Sequence, residues 1–353
     1  ALNTISIPAS RAYDVKIERG LLVQLGPLAK AAAGAQTAAL ISDDSVYSLY
    51  GAQAEASLRS AGFRVVSFVF PHGEHSKNLT VYGQLLNFLC ENRVTRSDIV
   101  VALGGGVVGD LAGFAAATYQ RGIRFVQVPT TLLAMVDSSV GGKTAVDLDR
   151  GKNMAGAFWQ PSLVVCDPAL LESLPEEQYR CGCAEVLKYG LMADADFFRR
   201  LAQTPVREQY EAVISRCVEM KKAVVLSDEF DRGERQKLNL GHTIGHAVEA
   251  CSGFSMLHGQ AVAIGMNLVT RAAAAKGFCA ADVPETVETV LNSYGLPTRT
   301  AYSAQELLHA AQADKKMDGG PLHLIVPTAI GSCQILSIPA AELQSWMTAG
   351  GVR

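Results

Sequence analysis

The chain has 353 residues, of which 49% are hydrophobic and 18% charged, and its formal net charge is -3 at pH 7. This length accommodates two domains with their own cores. The proportions of hydrophobic and charged residues are those of a globular protein rather than a disordered one. The chain has no run of five basic residues and no apolar run of membrane length, so we expect neither a nucleic-acid partner nor a membrane. Its eight cysteines lack zinc or redox spacing and indicate reduced thiols, so we expect a cytoplasmic location.

The first half of the chain alternates short apolar segments with helical patterns. Alternating apolar residues predict two strands at the start, one through Ile5 and Ile7 and one through Tyr13, Val15 and Ile17. A helix is predicted over 21–33, and further strands over 38–42, 65–70, 99–103, 125–128 and 163–166. Strands that are apolar on both faces and separated by helices form parallel sheets, which bind ligands beyond the carboxyl ends of the strands. We therefore expect a ligand site in the loops that follow these strands.

A glycine-rich turn follows the strand predicted over 99–103. Residues 104–110 read Gly-Gly-Gly-Val-Val-Gly-Asp and lead into a helix predicted over 111–119. Glycines let the backbone approach a phosphate, and a helix N-terminus offers free N–H groups, so the turn favours nucleotide or phosphate binding. The spacing is not Gly-x-Gly-x-x-Gly, and such turns also serve helix packing alone. The residues Asp44, Thr130 and Thr131 also follow predicted strands, where each suits either a ligand contact or a cap.

A second glycine-rich segment, 137–144, reads Asp-Ser-Ser-Val-Gly-Gly-Lys-Thr. It resembles the end of a Walker A loop, but that motif requires a glycine where this chain has Asp137, so the P-loop interpretation fails. We predict a flexible loop that presents Lys143, with Lys152 and Asn153 shortly after it. Lysines in such loops suit a phosphate or a carboxylate, although an exposed lysine without a ligand is the commoner case.

Beyond residue 168 the apolar spacing becomes mostly helical. Helices are predicted over 170–174, 184–191, 213–225, 261–275, 283–291 and 304–311, and a closing hairpin over 323–327 and 334–337. This change predicts two domains, which comprise residues 1–168 and residues 169–353.

Three of the seven histidines lie in one short stretch. His242 and His246 are four residues apart, so a helix over 243–250 places both on one face. Gly253 lets the chain turn back, which brings His258 toward them. Convergent imidazoles indicate a metal site, and a helix end with a bonded histidine is the alternative interpretation.

A metal of the zinc type usually takes a carboxylate or a thiolate as well as imidazoles. Glu185 is the candidate carboxylate, and Lys188 shares its helix face three residues later in an otherwise apolar stretch. A surface ion pair between these two residues is the other interpretation, and the sequence leaves the two level.

Together these motifs resemble 3-dehydroquinate synthase, a family of sugar-phosphate cyclases, over almost the whole chain. The resemblance is carried by residues 71–77, 104–110, 117–122, 129–131, 137–144, 152–153, 184–190, 228–235, 239–246 and 257–259. It implies an α/β fold, with an N-terminal Rossmann-like NAD-binding domain and a C-terminal, mainly α-helical metal-binding domain. It also implies NAD and one divalent metal, zinc in most members with cobalt as the alternative, and a homodimer.

The activity that the resemblance implies is a lyase reaction of the shikimate pathway, which leads to chorismate and the aromatic amino acids. The substrate, 3-deoxy-D-arabino-heptulosonate 7-phosphate, is a small phosphorylated sugar acid, and the products are 3-dehydroquinate and phosphate. The implied steps are transient oxidation by NAD, phosphate elimination, re-reduction and an intramolecular aldol closure. Because the cofactor ends as it began, no net redox change is expected.

Positions that match the family's motifs imply roles for individual residues. The implied metal ligands are Glu185, His242 and His258. The implied substrate-binding and catalytic residues are Arg121, Asp137, Lys143, Asn153, Lys188, Lys221, Arg235, Asn239 and His246, together with one of Lys315 and Lys316. The implied NAD contacts are Asp44, Glu74, Lys77, Gly105, Gly106, Asp110, Thr130, Thr131, Lys143 and Lys152. On this assignment His246 acts on the substrate and is not a metal ligand.

Two positions depart from the family's pattern. Asp231 stands where a second glutamate is usual, and Gln260 stands where a glutamate usually follows His258 and Gly259. Asp231 keeps the charge on a shorter side chain. Gln260 removes a charge near a metal ligand, which bears on how that ligand is oriented.

Three alternatives remain open beside the synthase. The first is another sugar-phosphate cyclase, acting on sedoheptulose 7-phosphate, glucose 6-phosphate or an amino analogue of the substrate. The second is a metal-dependent polyol dehydrogenase, which would accumulate NADH, and the third is a non-catalytic binding protein on the same fold. Arg235, Asn239 and Asn153 resemble the dehydroquinate pattern, which favours the synthase.

Overall fold

A computed structural model describes residues 2–314 and 321–353, which form two compact units. The first unit comprises Ala1–Pro175 and Tyr210–Phe230, and the second comprises Glu176–Gln209 and Asp231–Arg353. The segment Tyr210–Phe230 packs with the first unit although it lies beyond the predicted boundary. The division into two functional domains, residues 1–168 and residues 169–353, stays a prediction. The predicted α/β class is confirmed, because the first unit holds a mostly parallel sheet and the second is mainly helical.

A seven-stranded sheet forms the centre of the first unit. The strands of this unit are β1 (Asn3–Ile7), β2 (Tyr13–Ile17), β3 (Thr37–Asp43), β4 (Arg64–Phe70), β5 (Ile99–Gly104), β6 (Arg124–Pro129), β7 (Lys143–Leu148), β8 (Gly151–Phe158) and β9 (Leu163–Cys166). The sheet order is β1-β2-β9-β6-β5-β3-β4, in which β1 is antiparallel to β2 and the other neighbours are parallel. Every residue of β5 is buried, as expected for a parallel strand covered on both faces. All seven strands predicted for this sheet are confirmed.

Most of the individually predicted helices are confirmed, many with extended ends. The helices are α1 (Leu25–Ala33), α2 (Asp44–Val46), α3 (Ala52–Ser60), α4 (Leu79–Glu91), α5 (Gly106–Thr118), α6 (Glu176–Ala193), α7 (Ala195–Gln203), α8 (Tyr210–Ser227), α9 (His242–Cys251), α10 (His258–Ala275), α11 (Val283–Ser293), α12 (Ala304–Asp314) and α13 (Leu343–Ala349). Helices α7 and α13 were not predicted. The helix predicted over 21–33 begins with a 3-10 turn, Leu21–Gln24, and the segment predicted over 170–174 is a 3-10 turn, Pro168–Ser173. Helix α8 packs against β1 and β2, which explains its place in the first unit.

The prediction of a flexible loop around Lys143 is wrong. Lys143 begins β7, which pairs with β8 as an antiparallel hairpin. The signal in the sequence was the alternation of Thr144 and Val146, the two residues that are buried in the strand. Glycine, lysine and aspartate, which are depleted in strands, surround these two residues and obscure the pattern. The hairpin packs against α5, where a Cβ added at Gly113 would lie 2.5 Å from Cγ2 of Thr144. Glycine on the helix therefore permits the close approach of the hairpin.

The second unit is organised by close packing between α6, α9 and α10. A Cβ at Gly265 of α10 would lie 1.9 Å from the carbonyl oxygen of Gly241, the residue before α9. A Cβ at Gly259 of α10 would lie 2.4 Å from Cα of Cys181 on α6. The predicted closing hairpin is confirmed as β10 (Leu322–Ala329) and β11 (Ser332–Ile338). The glycines fix the distances among the three helices on which Glu185, His242 and His258 lie.

All eight cysteines are free, and Cys90 is exposed whereas Cys166, Cys181, Cys183 and Cys217 are buried. Across residues 2–314 and 321–353, no helix is long and apolar enough to cross a membrane.

Replacing Gly265 tests the close contact between α9 and α10. We expect Gly265→Ala to lower the free energy of unfolding by about 3 kcal/mol or more, because its methyl group would overlap a backbone carbonyl that cannot move aside. Thermal unfolding monitored by circular dichroism measures the change. The matched control is Gly83→Ala on α4, where nothing lies within 4 Å and helix propensity predicts a gain of about 1 kcal/mol. Equal melting temperatures for the two variants would contradict the packing described.

Candidate metal and cofactor sites

Glu185 is a buried carboxylate in the middle of α6, with a side chain that is 1% exposed. The Nζ atom of Lys188, one turn later, lies 2.5 Å from its Oε2 atom, and the lysine is also 1% exposed. The interpretation of these residues as a surface ion pair is therefore wrong, because both charges are buried. A buried carboxylate is costly unless opposite charges or a metal ion compensate it.

Two histidines face the second oxygen of this carboxylate. His242 is the first residue of α9 and His258 the first of α10, and the chain between the helices turns through Gly253 at φ 62°. The Nε2 atoms of His242 and His258 lie 3.5 Å and 3.3 Å from Oε1 of Glu185. Tetrahedral zinc with bonds of about 2.0–2.1 Å separates its ligand atoms by about 3.4 Å. The predicted convergence of these residues is confirmed, at distances that suit a shared metal ion.

The other ring nitrogen of each histidine has its own partner. Nδ1 of His242 lies 3.1 Å from the carbonyl oxygen of Leu240, and Nδ1 of His258 lies 3.2 Å from Oε2 of Glu249. In the neutral form of each ring, a proton on Nδ1 leaves a lone pair on Nε2, which faces Glu185 and is available to a metal. Sequence reasoning missed Glu249. The available signal was that it is the only acidic residue in α9.

The residues present fit a divalent metal. No well-directed hydrogen bond reaches Oε1 of Glu185 within the described part of the chain, and its separations from the two imidazoles exceed those typical of N–H···O bonds. Two imidazole nitrogens and one carboxylate oxygen form a donor set that zinc and similar ions take. Such a set leaves coordination positions open for a substrate.

The protonation states at this cluster follow from burial and charge. Burial lowers the pKa of His242 to about 3, so this ring is neutral. Burial also lowers the pKa of His258, but contacts with Glu185 and Glu249 outweigh it and raise the pKa to about 9. Burial raises the pKa of Glu185, but Lys188 and the two histidines hold it well below its usual range. A metal that binds Nε2 of His258 therefore displaces a proton at neutral pH.

A second donor set shares His258. Ligand atoms of His246, Glu249 and His258 also lie within 4.8 Å of one another, and the ring of His246 is centred 5.4 Å from that of His242. The set with Glu185 is the better metal site, because two Nε2 atoms face one buried carboxylate oxygen. Nδ1 of His258 is already engaged with Glu249.

In the first unit, a chain of polar contacts joins three of the predicted site residues. Nζ of Lys77 donates to Oδ2 of Asp110 at 2.7 Å and to Oδ1 of Asn153 at 2.6 Å. Burial lowers the pKa of Lys77, but the carboxylates of Asp110 and Glu74 outweigh it and raise the pKa above its ordinary value. The lysine is therefore a buried cation held at the N-terminal half of α5.

The glycine-rich turn before α5 contacts the loop after β6. A Cβ at Gly105 would lie 3.0 Å from Cγ2 of Thr131, so the two loops approach closely. The backbone N–H of Thr130 donates to the carbonyl of Gly104 at 3.0 Å. The buried hydroxyl of Thr130 has no hydrogen-bond partner within the described residues, which is the kind of group that a bound ligand satisfies. Gly106 is the first residue of α5, next to this hydroxyl-bearing loop in the same unit.

The remaining predicted site residues of the first unit are mostly exposed or partly exposed. Asp137, in a π-helical turn, forms an ion pair with Lys221 of α8. Arg121 is exposed and has φ 63°, a conformation that is strained for a side-chain-bearing residue. The exposed or partly exposed positions are Asp44, which accepts from the ring and backbone nitrogens of His72, and Glu74, Lys143, Lys152 and Asn153.

The second unit places its remaining predicted residues on two segments. Arg235 is buried and Asn239 exposed in the 3-10 turn Glu234–Asn239, which precedes α9. The predicted substrate lysine, Lys315 or Lys316, lies outside the described residues. Of the two departures from the family pattern, Asp231 adopts φ 57°. The other, Gln260, accepts a long 3.4 Å hydrogen bond from the backbone of Leu257 and caps α10.

Comparisons with known proteins agree over both halves of the chain. The models "3-dehydroquinate synthase N-terminal" and "3-dehydroquinate synthase C-terminal" match residues 67–181 and 182–317. A 3-dehydroquinate synthase of Streptococcus suis is 43% identical over 351 residues, covering 98% of this chain and 99% of that protein. This chain is also similar to two solved structures of other synthases.

The first is 2-epi-5-epi-valiolone synthase from Streptomyces hygroscopicus subsp. jinggangensis 5008 with NAD+ and Zn2+ bound. It is 28% identical with a TM-score of 0.87, covering 99% of this chain and 98% of that one. The second is 2-deoxy-scyllo-inosose synthase complexed with carbaglucose-6-phosphate, NAD+ and Co2+. It is 24% identical with a TM-score of 0.88, covering 98% of this chain and 99% of that one, and it shows the shared fold.

Replacing Glu249 tests whether it orients His258. We expect Glu249→Gln to weaken zinc binding by about 10–100-fold, because the neutral amide stabilises the protonated Nδ1 of His258 less well than a carboxylate. Competition with a chromophoric chelator measures the affinity. Glu285→Gln, at an exposed position of α11, is the matched control and should bind zinc like the parent chain. Unchanged zinc affinity in Glu249→Gln would rule out this role.

Proposed function

The chain belongs to the 3-dehydroquinate synthase family, and we propose that it converts 3-deoxy-D-arabino-heptulosonate 7-phosphate to 3-dehydroquinate and phosphate, using NAD and one zinc ion. The observation that carries the proposal is the convergence of Glu185, His242 and His258 in a chain that matches the family over both halves. The solved relative that contains NAD+ and Zn2+ supports the same pair of cofactors.

Glu185, His242 and His258 hold the metal in this proposal. When bound, the metal supplies a Lewis acid that acidifies a substrate hydroxyl, and NAD supplies a reversible hydride acceptor. Lys188 keeps Glu185 ionised without competing for Oε1, because it contacts Oε2. Glu249 and the carbonyl of Leu240 keep both imidazoles oriented through their Nδ1 atoms.

Several of the proposed NAD contacts follow the carboxyl ends of parallel strands in the first unit, whereas Lys143 and Lys152 lie on the β7–β8 hairpin. Gly105 and Gly106 leave room for a diphosphate at the N-terminus of α5, where free backbone N–H groups favour an anion. Thr130 offers a buried hydroxyl that a ligand would satisfy. The further proposed contacts are Asp44, Glu74, Lys77, Asp110, Thr131, Lys143 and Lys152. Asp110 contributes by fixing the buried ammonium of Lys77.

The substrate carries two anionic groups, a carboxylate and a phosphate, so its proposed partners are cationic side chains and amide donors. They are Arg121, Lys143, Asn153, Lys188, Lys221, Arg235 and Asn239. Asp137 holds the ammonium of Lys221 in place through an ion pair. Fixed charges of this kind stabilise the negative charge that develops as phosphate leaves and an enolate forms. His246, beside the metal-site histidines, is the proposed proton-transfer group.

The proposed activity has a direct assay. Chelator-treated protein is given 3-deoxy-D-arabino-heptulosonate 7-phosphate with NAD and zinc, added singly and together, while phosphate release and NADH absorbance are recorded. We expect phosphate release only when both are present, with no accumulation of NADH, because the ketone is reduced again within the same turnover.

Two results would contradict this proposal. Stoichiometric NADH from a simple polyol, without phosphate release, indicates the polyol dehydrogenase. Phosphate release from sedoheptulose 7-phosphate or glucose 6-phosphate, but not from the heptulosonate, indicates another cyclase. Light scattering on the same preparation checks the homodimer, which stays a prediction.

Replacing His246 separates its proposed role from that of a metal ligand. We expect His246→Ala to keep one equivalent of zinc and to lower kcat by about 100-fold or more, the scale of general acid–base catalysis. Metal analysis of the dialysed variant, together with the phosphate assay, measures both quantities. His258→Ala is the comparison and should lose the metal and the activity together. Loss of zinc in His246→Ala would instead favour the donor set with Glu249.

A further inference from the structure

Asp147 lies where the hairpin of β7 and β8 is irregular. The pairing shifts between Val146 and Leu148, so the backbone of Asp147 falls outside the ladder with β8 and instead forms a bridge with Asn78, which precedes α4. Its backbone N–H donates to the carbonyl of Lys77 at 2.8 Å. Bulges of this kind redirect side chains and are frequent next to functional sites.

The carboxylate of Asp147 contacts Asn153 on the other strand. Oδ1 of Asp147 accepts from the backbone N–H of Asn153 at 2.7 Å, and Asn153 has φ 57°, in the left-handed region. Such a conformation is uncommon for a residue with a side chain and persists where its surroundings impose it. The hydrogen bond to Asp147 is one such constraint.

A third hydrogen bond closes a ring. The side chain of Lys77 donates to Oδ1 of Asn153 at 2.6 Å, while the backbone of Lys77 accepts from Asp147. The ring therefore runs from Asp147 to Lys77, from Lys77 to Asn153, and from Asn153 back to Asp147. The amide oxygen of Asn153 is engaged with a cation, which leaves its amide nitrogen as the group that donates outward.

We infer that Asp147 is a positioning residue, whose carboxylate holds Asn153 so that the amide nitrogen donates to an oxygen of the phosphorylated substrate. This inference rests on the proposed function, in which Asn153 binds substrate and Lys77 binds NAD. Asp147 acts through Asn153 and does not itself contact the substrate. Because Asp110 also holds the ammonium of Lys77, and the main chain of Asp147 makes the backbone contact, loss of the Asp147 carboxylate affects substrate binding more than NAD binding.

A double-mutant cycle tests the inference in the intact protein. The variants are Asp147→Ala, Asn153→Gly and the pair together, and each is assayed for KM of the heptulosonate phosphate, kcat, NAD affinity and melting temperature. We expect Asp147→Ala to raise KM about tenfold in the parent chain but less than about twofold in Asn153→Gly, because residues that act as a unit are not additive. NAD affinity should stay within about twofold of the parent value.

Conservative variants separate positioning from simple destabilisation. Asp147→Asn keeps an acceptor oxygen and should restore KM, and Asp149→Ala, an exposed carboxylate two residues along the same hairpin, should leave it unchanged. If Asp147→Ala does not fold, Asp147→Val replaces it, since valine removes the acceptor and is enriched in strands.

Three results would overturn the inference. If Asn153→Gly raises KM and Asp147→Ala does not, the inference alone fails. If Asn153→Gly leaves KM unchanged, the inference fails together with the assignment of Asn153 to the substrate. If Asp147→Ala lowers melting temperature and activity equally in both backgrounds, Asp147 has a structural role only. Absence of phosphate release by the parent chain would identify a failure of the proposed function itself.

Discussion

The burial of the Glu185 carboxylate is the constraint on which the candidate metal site depends. Its Oε2 atom is neutralised by Lys188, and its Oε1 atom faces the Nε2 atoms of two histidines. A buried anion is costly unless opposite charges compensate it, and here Lys188 and the protonated His258 do so until a divalent cation displaces the proton of His258. Metal binding therefore stabilises the fold and prepares the chemistry by the same interaction.

Backbone contacts set the geometry that the side chains need. Gly259 brings the start of α10 against α6, and Gly265 brings α10 against the residue before α9. Any larger side chain at these positions would move His258 or His242 away from Glu185. The first unit uses the same device, since Gly113 of α5 admits the β7–β8 hairpin and with it Asn153. Small residues on helices thus position polar residues that lie far apart in the sequence.

Much of this arrangement could be predicted from the sequence, because it depends on local pattern. Strands with two apolar faces identified the parallel sheet, and the turn at Gly253 predicted that three histidines would converge. What could not be predicted depends on contacts between distant segments. Sequence spacing alone left the burial of Lys188 open, Glu249 gave only a weak signal, and the ring that joins Lys77, Asp147 and Asn153 spans more than seventy residues. The β7–β8 hairpin was not predicted because polar and glycine residues obscured the alternation of buried and exposed side chains in β7.

In the function proposed here, one metal ion is held by Glu185, His242 and His258. Anomalous diffraction at the zinc absorption edge, from crystals of the zinc-loaded protein, tests it most directly. We expect a single strong peak bonded to Oε1 of Glu185 and to Nε2 of both histidines, at about 2.0–2.2 Å. A peak bonded instead to His246 and Glu249, or zinc that leaves Glu185 uncoordinated, would contradict it.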